Sequence, residues 1–256
     1  MITVHIIMPM AGEGSRFKNE GYDVPKPLIK LNDVELYQHA LNSIVINKQL
    51  NEYDFKYTFI VRQEFRDIIA PQLLKSYPNA NILSVEKTTK GALETVMIAE
   101  DYIEDDDYVI VMDCDLEFES IDFINELNNA IMTESPLLLS FYSKDPKYSY
   151  VQVNENNEGI YVAEKKQIST HALGGCYCLG SGEMFKKCAK MYIYDFYRNK
   201  IDSPEIYISL IYNYIIKERE DNILVYDMNF HKDHYWSYGT PEDLENYKYN
   251  RNIWDK

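Results

Sequence analysis

Ile2-Thr3-Val4-His5-Ile6-Ile7-Met8, leading into Ala11-Gly12-Glu13-Gly14-Ser15-Arg16 and then Pro25-Lys26-Pro27-Leu28, is the stretch that decides how this chain is read. The apolar run is a strand that delivers the backbone into a glycine turn. Without a Cβ in the way, the two glycines let main-chain N–H groups come close to an anion. Arg16 adds a planar fork of donors, and Lys26 adds a compact charge whose backbone is fixed by a proline on either side. Together they can hold a polyphosphate. A Gly-x-Gly pair alone also occurs in plain strand-to-helix turns, so the added cations carry the reading. The loop is no Walker motif, since no Gly-Lys-Ser/Thr follows, and no full dinucleotide fingerprint, since Phe17 stands where the third glycine would be.

The rest of the sequence sets bounds. A chain of 256 residues suits one sizeable α/β domain, and no linker, low-complexity tract or repeat divides it. The net charge of −15 argues against nucleic acid and anionic membrane as partners. It also means that the cations of an anion site have to be gathered locally, which singles out Arg16, Lys26 and Lys165. The run Glu104-Asp105-Asp106-Asp107 reads as a solvated turn. Cys114, Cys176, Cys178 and Cys188 form no Cys-x-x-Cys pair and read as buried or incidental thiols. With no leader pattern and no apolar run near the roughly 18–20 residues that cross a bilayer, a cytoplasmic, reducing location is expected.

Short apolar runs alternate with longer amphipathic ones, the pattern of parallel strands joined by crossover helices. Strands are expected near Ile2–Met8, Tyr57–Val61, Asn81–Val85 and Tyr108–Met112, and helices near Val34–Asn47, Glu64–Ser76, Gly91–Tyr102 and Ile121–Met132. Beyond Leu137 the pattern changes to short strands at Leu137–Tyr142, Tyr150–Val153 and Tyr161–Ala163, the last two a hairpin turning at Asn156-Asn157-Glu158-Gly159. Helices near Glu183–Met191 and Pro204–Arg219, a strand at Ile223–Tyr226 and a final helix after Thr240 complete the reading.

In such sheets ligands sit beyond the carboxyl ends of the strands, so motifs directly after strands take priority. Asp113-Cys114-Asp115 ends the apolar run Val109–Met112 and places two hard oxygen donors where a Mg²⁺ bridging phosphates would need them. A pair of helix-capping acids is the alternative. Thr88-Thr89-Lys90-Gly91-Ala92, with Thr95, sits at a strand-to-helix junction where small residues admit a planar or anionic group.

Gly12-x-Gly14-Ser15-Arg16-Phe17 with Pro25-Lys26-Pro27-Leu28-Ile29 resembles the signature of the nucleotidyltransferases that build nucleoside-diphospho-sugars and related compounds from an NTP and a phosphorylated acceptor. The likeness extends over essentially the whole chain, to Trp236-Ser237-Tyr238-Gly239-Thr240-Pro241-Glu242-Asp243-Leu244, which is similar to the loop that closes the catalytic fold of that family. It implies an α/β fold: one three-layer, Rossmann-like (GT-A-like) domain over residues 1–256 with a mixed, mostly parallel sheet. Residues 1–135 would form the nucleotide half and 136–256 the acceptor half. The loop of Ala11, Gly12, Glu13, Gly14, Ser15 and Arg16 would wrap the triphosphate, with Arg16 and Lys26 as catalytic cations around the α-phosphate. Gly91, Ala92 and Thr95 would lie against the base. Asp115 would hold Mg²⁺ with Asp113 as the less certain partner. Glu164 and Lys165 would take the acceptor, Lys165 at its phosphate, with Tyr150 and Gly175 beside them.

One departure stands out: many sugar-phosphate members have an aspartate two residues before the glycine of the closing loop, and this chain has Ser237, which puts a second metal ligand in question and leaves Asp233 as a substitute. The runs Met10–Phe17, Gly21-Tyr22 before Val24-Pro25-Lys26-Pro27, and Asp145–Tyr150 look most like small bacterial capsule nucleotidyltransferases, of which the CTP:phosphoglutamine cytidylyltransferases are the nearest kind. CTP and a small phosphorylated acceptor are the expected partners, and homo-oligomerisation is left open. The alternatives are a sugar-1-phosphate uridylyl- or thymidylyltransferase, a GT-A-type glycosyltransferase, and a nucleotide-binding regulator without turnover. The amino-terminal loop speaks against the glycosyltransferase, whose donor carries only a diphosphate; Ser237 speaks for the regulator.

Overall fold

The computed structural model describes residues 1–231 and 233–254, with side chains through residue 247. The first strand, β1 (Thr3–Met10), is buried on both faces, as its unbroken apolar run requires. It leads through α1 (Ser15–Asn19) to the short strands β2 (Lys30–Leu31) and β3 (Val34–Glu35), then to α2 (Leu36–Val45), β4 (Asp54–Arg62), α3 (Arg66–Ser76), β5 (Asn81–Val85), α4 (Ala92–Val96) and β6 (Tyr108–Met112). The second half comprises β7 (Leu116–Glu119), α5 (Ile121–Met132), β8 (Leu137–Tyr142), β9 (Tyr150–Val153), β10 (Gly159–Ala163), β11 (His171–Ser181), α6 (Gly182–Tyr197), α7 (Ile211–Arg219), β12 (Leu224–Asp227), α8 (Met228–His231), β13 (His234–Ser237) and α9 (Pro241–Trp254).

The main sheet runs β10-β9-β11-β6-β1-β4-β5, with β8 on β11 and β12 on β8. Pairings β5-β4-β1-β6 are parallel, and the strands that meet β11 are antiparallel to it, so the sheet is the expected mixed, mostly parallel one. Helices cover both faces. On one, α2, α3 and α5 pack through Leu41, Ile44, Leu73, Phe123 and Leu127 against Val4, Ile6 and Met8. On the other, α4, α6 and α7 set Leu93, Val96, Phe185, Tyr192 and Ile211 against Ile7, Val109 and Val111. Each such aliphatic or aromatic side chain contributes roughly 1.5–3 kcal/mol by leaving water, so the three layers are held by burial. A third, smaller cluster joins Phe17, Ile29 and Leu36 to Tyr238 and Leu244, and so ties the amino-terminal loop to the carboxyl-terminal segment.

Several elements depart from the sequence expectation, among them β7 and β13, which were not expected, and the helix expected over Gly91–Tyr102, whose α-helical part ends at Val96. The helix expected from Val34 begins at Leu36, because Val34–Glu35 pairs back on Lys30–Leu31 across Asn32 and Asp33, both with positive φ (51° and 64°), a two-residue hairpin turn. The helix expected from Pro204 begins only at Ile211, since Ile206 is engaged by main-chain bonds to the turn before α4. The longest strand of all, β11, was not anticipated. Gly174, Gly175 and Gly180 break its apolar pattern in sequence, while in the fold it is buried along nearly its whole length.

Candidate active site

Two cavities meet beyond the carboxyl ends of β1 and β6. Gly12, Gly14, Ser15, Arg16 and Lys26 line the first, Asp113 and Asp115 close it, and the same two aspartates open the second.

The first cavity is shaped by local sequence. Gly14 takes φ +62°, the left-handed conformation that glycine adopts without strain, and turns the chain into α1. Phe17 is buried beneath the loop against Tyr22 and keeps it in place. Pro25 and Pro27 hold Lys26 in a 3₁₀ turn, closed by the Leu28 N–H to the Pro25 carbonyl at 2.8 Å. The Lys26 ammonium stands 5.5 Å over the Phe17 ring and donates to Asp115. Burial alone would lower the pKa of Lys26, but Asp115 and its neighbours outweigh it, and the ammonium is held above its ordinary value. Arg16 is exposed and makes no ion pair among the described residues. Ala11 is buried at the base of the loop, and Glu13 accepts from the Thr88 hydroxyl at 3.4 Å, linking the loop to the next strand-to-helix turn.

The aspartates are fixed by backbone. The Asp113 N–H donates to the Gly175 carbonyl at 2.9 Å, and the Tyr238 N–H donates to the Asp115 carbonyl at 2.6 Å. Gly175, at φ +70°, passes so close that a Cβ there would lie 2.6 Å from Asp113 Oδ2, so only glycine fits. Burial first, and then the neighbouring Asp115, push the Asp113 carboxyl up to about 7. A bound cation would relieve this crowding of two carboxylates. No group of three or more His, Cys, Asp or Glu side chains suited to a metal occurs among the described residues. Two carboxylates nevertheless match Mg²⁺, which takes one or two of them and completes its shell with water and substrate phosphates. Asp233, the substitute second ligand, is elsewhere: it accepts from Ser120 at 2.6 Å and Tyr226 at 2.5 Å, while Ser237 lines the second cavity. Cys114, between the aspartates, is buried with its thiol pushed up to about 12, and all four cysteines are free and buried.

The second cavity draws on the whole chain. Ala92, which the sequence places at the nucleotide base, Asp113, Asp115, Glu164 and Gly175 are in its lining. Glu164 accepts from the hydroxyls of Ser149 and of Ser209, the latter at 2.7 Å. Four expectations need correction. Tyr150 is fully buried, and its hydroxyl donates to the Asp145 carbonyl at 2.7 Å; Tyr148 and Ser149 face the cavity in its place. Thr95 is buried and bonded to Thr89 at 2.6 Å, away from the opening. Gly91 is not on the wall: at φ +153° it packs on Ile206, whose main chain a Cβ would meet at 2.5 Å. Here the Ile206 N–H donates to the Lys90 carbonyl at 2.8 Å and the Leu93 N–H to the Ile206 carbonyl at 3.1 Å, so the two loops are stitched by backbone. Lys165 lies in an adjoining cavity, its ammonium donating to the Tyr207 hydroxyl at 2.7 Å.

The lysine in the second cavity is Lys147, 3.6 Å from Asp243 at the start of α9 and 3.8 Å from Asp145. It falls inside the Asp145–Tyr150 run quoted for resemblance, yet nothing in its spacing marked it. Tyr207, Ser209 and Tyr235 were missed as well. For Tyr235 a signal existed: it lies two residues before Ser237, hence on the same face of a strand.

The model of the nucleotidyl transferase family matches residues 4–249. No curated protein matches the sequence. Among solved structures, a nucleoside-diphosphate-sugar pyrophosphorylase from Vibrio cholerae RC9 superposes with a TM-score of 0.75 at 21% identity, over 94% of this chain and 98% of that one. An inositol-1-phosphate CTP transferase from T. maritima gives 0.70 at 17% over 95% and 92%, and a UTP-bound UGPase from Acinetobacter baumannii gives 0.67 at 13% over 96% and 92%. At these identities the likeness is one of fold.

Proposed function

The chain belongs to the nucleotidyl transferase family, and from that premise we infer that it transfers a nucleoside monophosphate, CMP from CTP, to a small phosphorylated acceptor and releases pyrophosphate. The observation that supports this best is the meeting of two cavities at Asp113 and Asp115, one lined by the glycine loop with Arg16 and Lys26, the other by Lys147 and Glu164. A triphosphate in the first and an acceptor phosphate in the second would have their reacting atoms at the shared wall.

In this reading an acceptor phosphate oxygen attacks the α-phosphorus in line. The new P–O bond forms as the bond to the bridging α,β oxygen breaks, and pyrophosphate leaves with that electron pair. The protein's part is positioning and charge neutralisation, with no covalent nucleophile. The glycine loop and Arg16 orient the β- and γ-phosphates, and Lys26, already charged, faces the negative charge that grows at the α-phosphate. Asp115 and Asp113 would hold Mg²⁺, which when bound supplies charge neutralisation at the phosphates. Ala92 borders the nucleotide on the acceptor side. The division of labour between residues 1–135 and 136–256 belongs to the same reading, as does phosphoglutamine as acceptor and a place in surface-polysaccharide synthesis, both taken from the sequence resemblance.

The test is pyrophosphate release with Mg²⁺, each of CTP, UTP, dTTP, ATP and GTP being combined with sugar 1-phosphates, phosphocholine, glycerol phosphates and phosphoglutamine. Turnover with CTP and phosphoglutamine is the expected result. Turnover with UTP or dTTP and a sugar 1-phosphate would overturn the cytidylyl assignment in favour of the sugar nucleotide reading, which the Vibrio and Acinetobacter folds resemble as well. Silence across the panel would overturn the transferase reading in favour of a regulator.

A further inference from the structure

The acceptor cavity of the reading above specifies the charge pattern of what it takes. Its described lining carries three carboxylates, Asp113, Asp115 and Glu164, against one lysine, Lys147. Asp115 is answered by Lys26. Glu164 forms no ion pair among the described residues, the Lys165 ammonium acting on it at longer range from the adjoining cavity: the Ser149 and Ser209 hydroxyls both go to Oε2, and Oε1 meets no donor among the described residues. A carboxylate left half-satisfied on a wall that must admit a phosphate repels that phosphate, unless the ligand brings a cation of its own.

The rest of the wall suits a cation. Tyr148, Tyr177, Tyr207 and Tyr235 line it, and the electron-rich faces of such rings attract ammonium groups. Two already do so: the Lys147 ammonium is 5.0 Å from the Tyr148 ring centroid and that of Lys165 is 4.7 Å from that of Tyr207.

We propose that the acceptor is a zwitterion, a phosphate monoester held by Lys147 and carrying at its other end an ammonium group, primary or quaternary, that is received by Glu164 Oε1 among the tyrosines. Lys147 is poised for the phosphate: besides the Tyr148 ring, it faces Asp243 at 3.6 Å and Asp145 at 3.8 Å, carboxylates that an incoming phosphate replaces. Phosphoglutamine also brings an α-ammonium, on a phosphoramidate rather than an ester and beside an α-carboxylate. The inference rests on the transferase reading for which cavity takes the acceptor, but it is tested by binding alone.

The experiment is calorimetric titration of the full chain, with and without Mg²⁺ and a methylene analogue of CTP, using two matched pairs of ligands. Phosphocholine is compared with its neutral carbon isostere dimethylbutyl phosphate, and phosphoethanolamine with propyl phosphate. The charged member of at least one pair should bind about tenfold tighter or more. Glu164→Gln, which still accepts from both serines, should bring that ratio to within about twofold, the neutral ligand binding no more weakly than before because its phosphate no longer meets a carboxylate. Equal affinity within both pairs overturns the proposal, as does no binding of any ligand at about 10 mM, or selectivity that survives Glu164→Gln. The wild-type comparison stands without any variant. Cation-selective binding with no pyrophosphate release would sustain the inference and fail the transferase reading; release with neutral sugar phosphates alone would do the reverse.

Discussion

The two cavities that meet at Asp113 and Asp115 are built by opposite means. The glycine-loop cavity takes its loop and both of its cations from residues 12–27, and two glycines and two prolines within that stretch set the backbone. The second cavity gathers its wall from residues between 92 and 237, on β11, β13 and several loops, with each side chain placed by a different tertiary contact. A site for an invariant chemical group can be encoded locally; a site for a variable one is encoded by the fold. The first is therefore expected to fail by chemistry when altered, and the second by affinity.

Lys26→Ala is the strongest way to test that contrast. It should lower turnover by about 100-fold or more while the thermal midpoint stays within a few degrees, because it removes one preorganised charge at the reacting phosphate; unchanged turnover would remove Lys26 from the mechanism. Gly91→Ala attacks the seam between the regions. A Cβ 2.5 Å from the Ile206 main chain, at φ +153°, should cost about 1–3 kcal/mol in urea unfolding, and full stability would mean that the seam yields. Lys147→Met should raise the acceptor KM about tenfold with the NTP KM unchanged, and Lys165→Met should raise it by about twofold or less. The opposite ranking would return the acceptor phosphate to Lys165.

The smallest expected effect lies away from both cavities. His5, on β1, is wholly buried and bonded to Thr58 at 2.8 Å and Asp107 at 3.2 Å. Burial, and then the Lys56 ammonium, hold its imidazole down to about 4. The unfolded chain takes up that proton near 6.5 and the folded one only near 4. Stability from this group is therefore complete above 6.5 and is lost as pH falls from there through 4. Urea midpoints at pH 7 and pH 4.5 should differ more for the wild type than for His5→Gln; equal differences would show that the carboxylates alone govern acid sensitivity.

The same contrast explains what the sequence disclosed. Strands β5, β6, β8 and β9 and helix α5 fall where the apolar periodicity puts them, since each is a local pattern bounded by polar residues. The glycine loop, Lys26 and the aspartate pair were legible for the same reason. Strand β11 was not, because the glycines that let it pass Asp113 and Leu139 also erase its alternation. Tyr150 is buried and Lys147, which nothing in the sequence marked, lines the cavity, because only the fold decides which side chains at the entry to β9 meet it. Ser209 and Tyr207 sit on a stretch that reads as helix and stays out of α7, with Ile206 bonded to the Lys90–Leu93 turn.

That stitch between Ile206 and the turn has a consequence for how such a protein changes over time. Both bonds are main chain to main chain, so they hold whatever side chains stand at 207, 208 and 209. The panel facing the acceptor can be rewritten one residue at a time while its mounting, and with it the spacing to the nucleotide, stays the same. A new acceptor then requires no new catalyst.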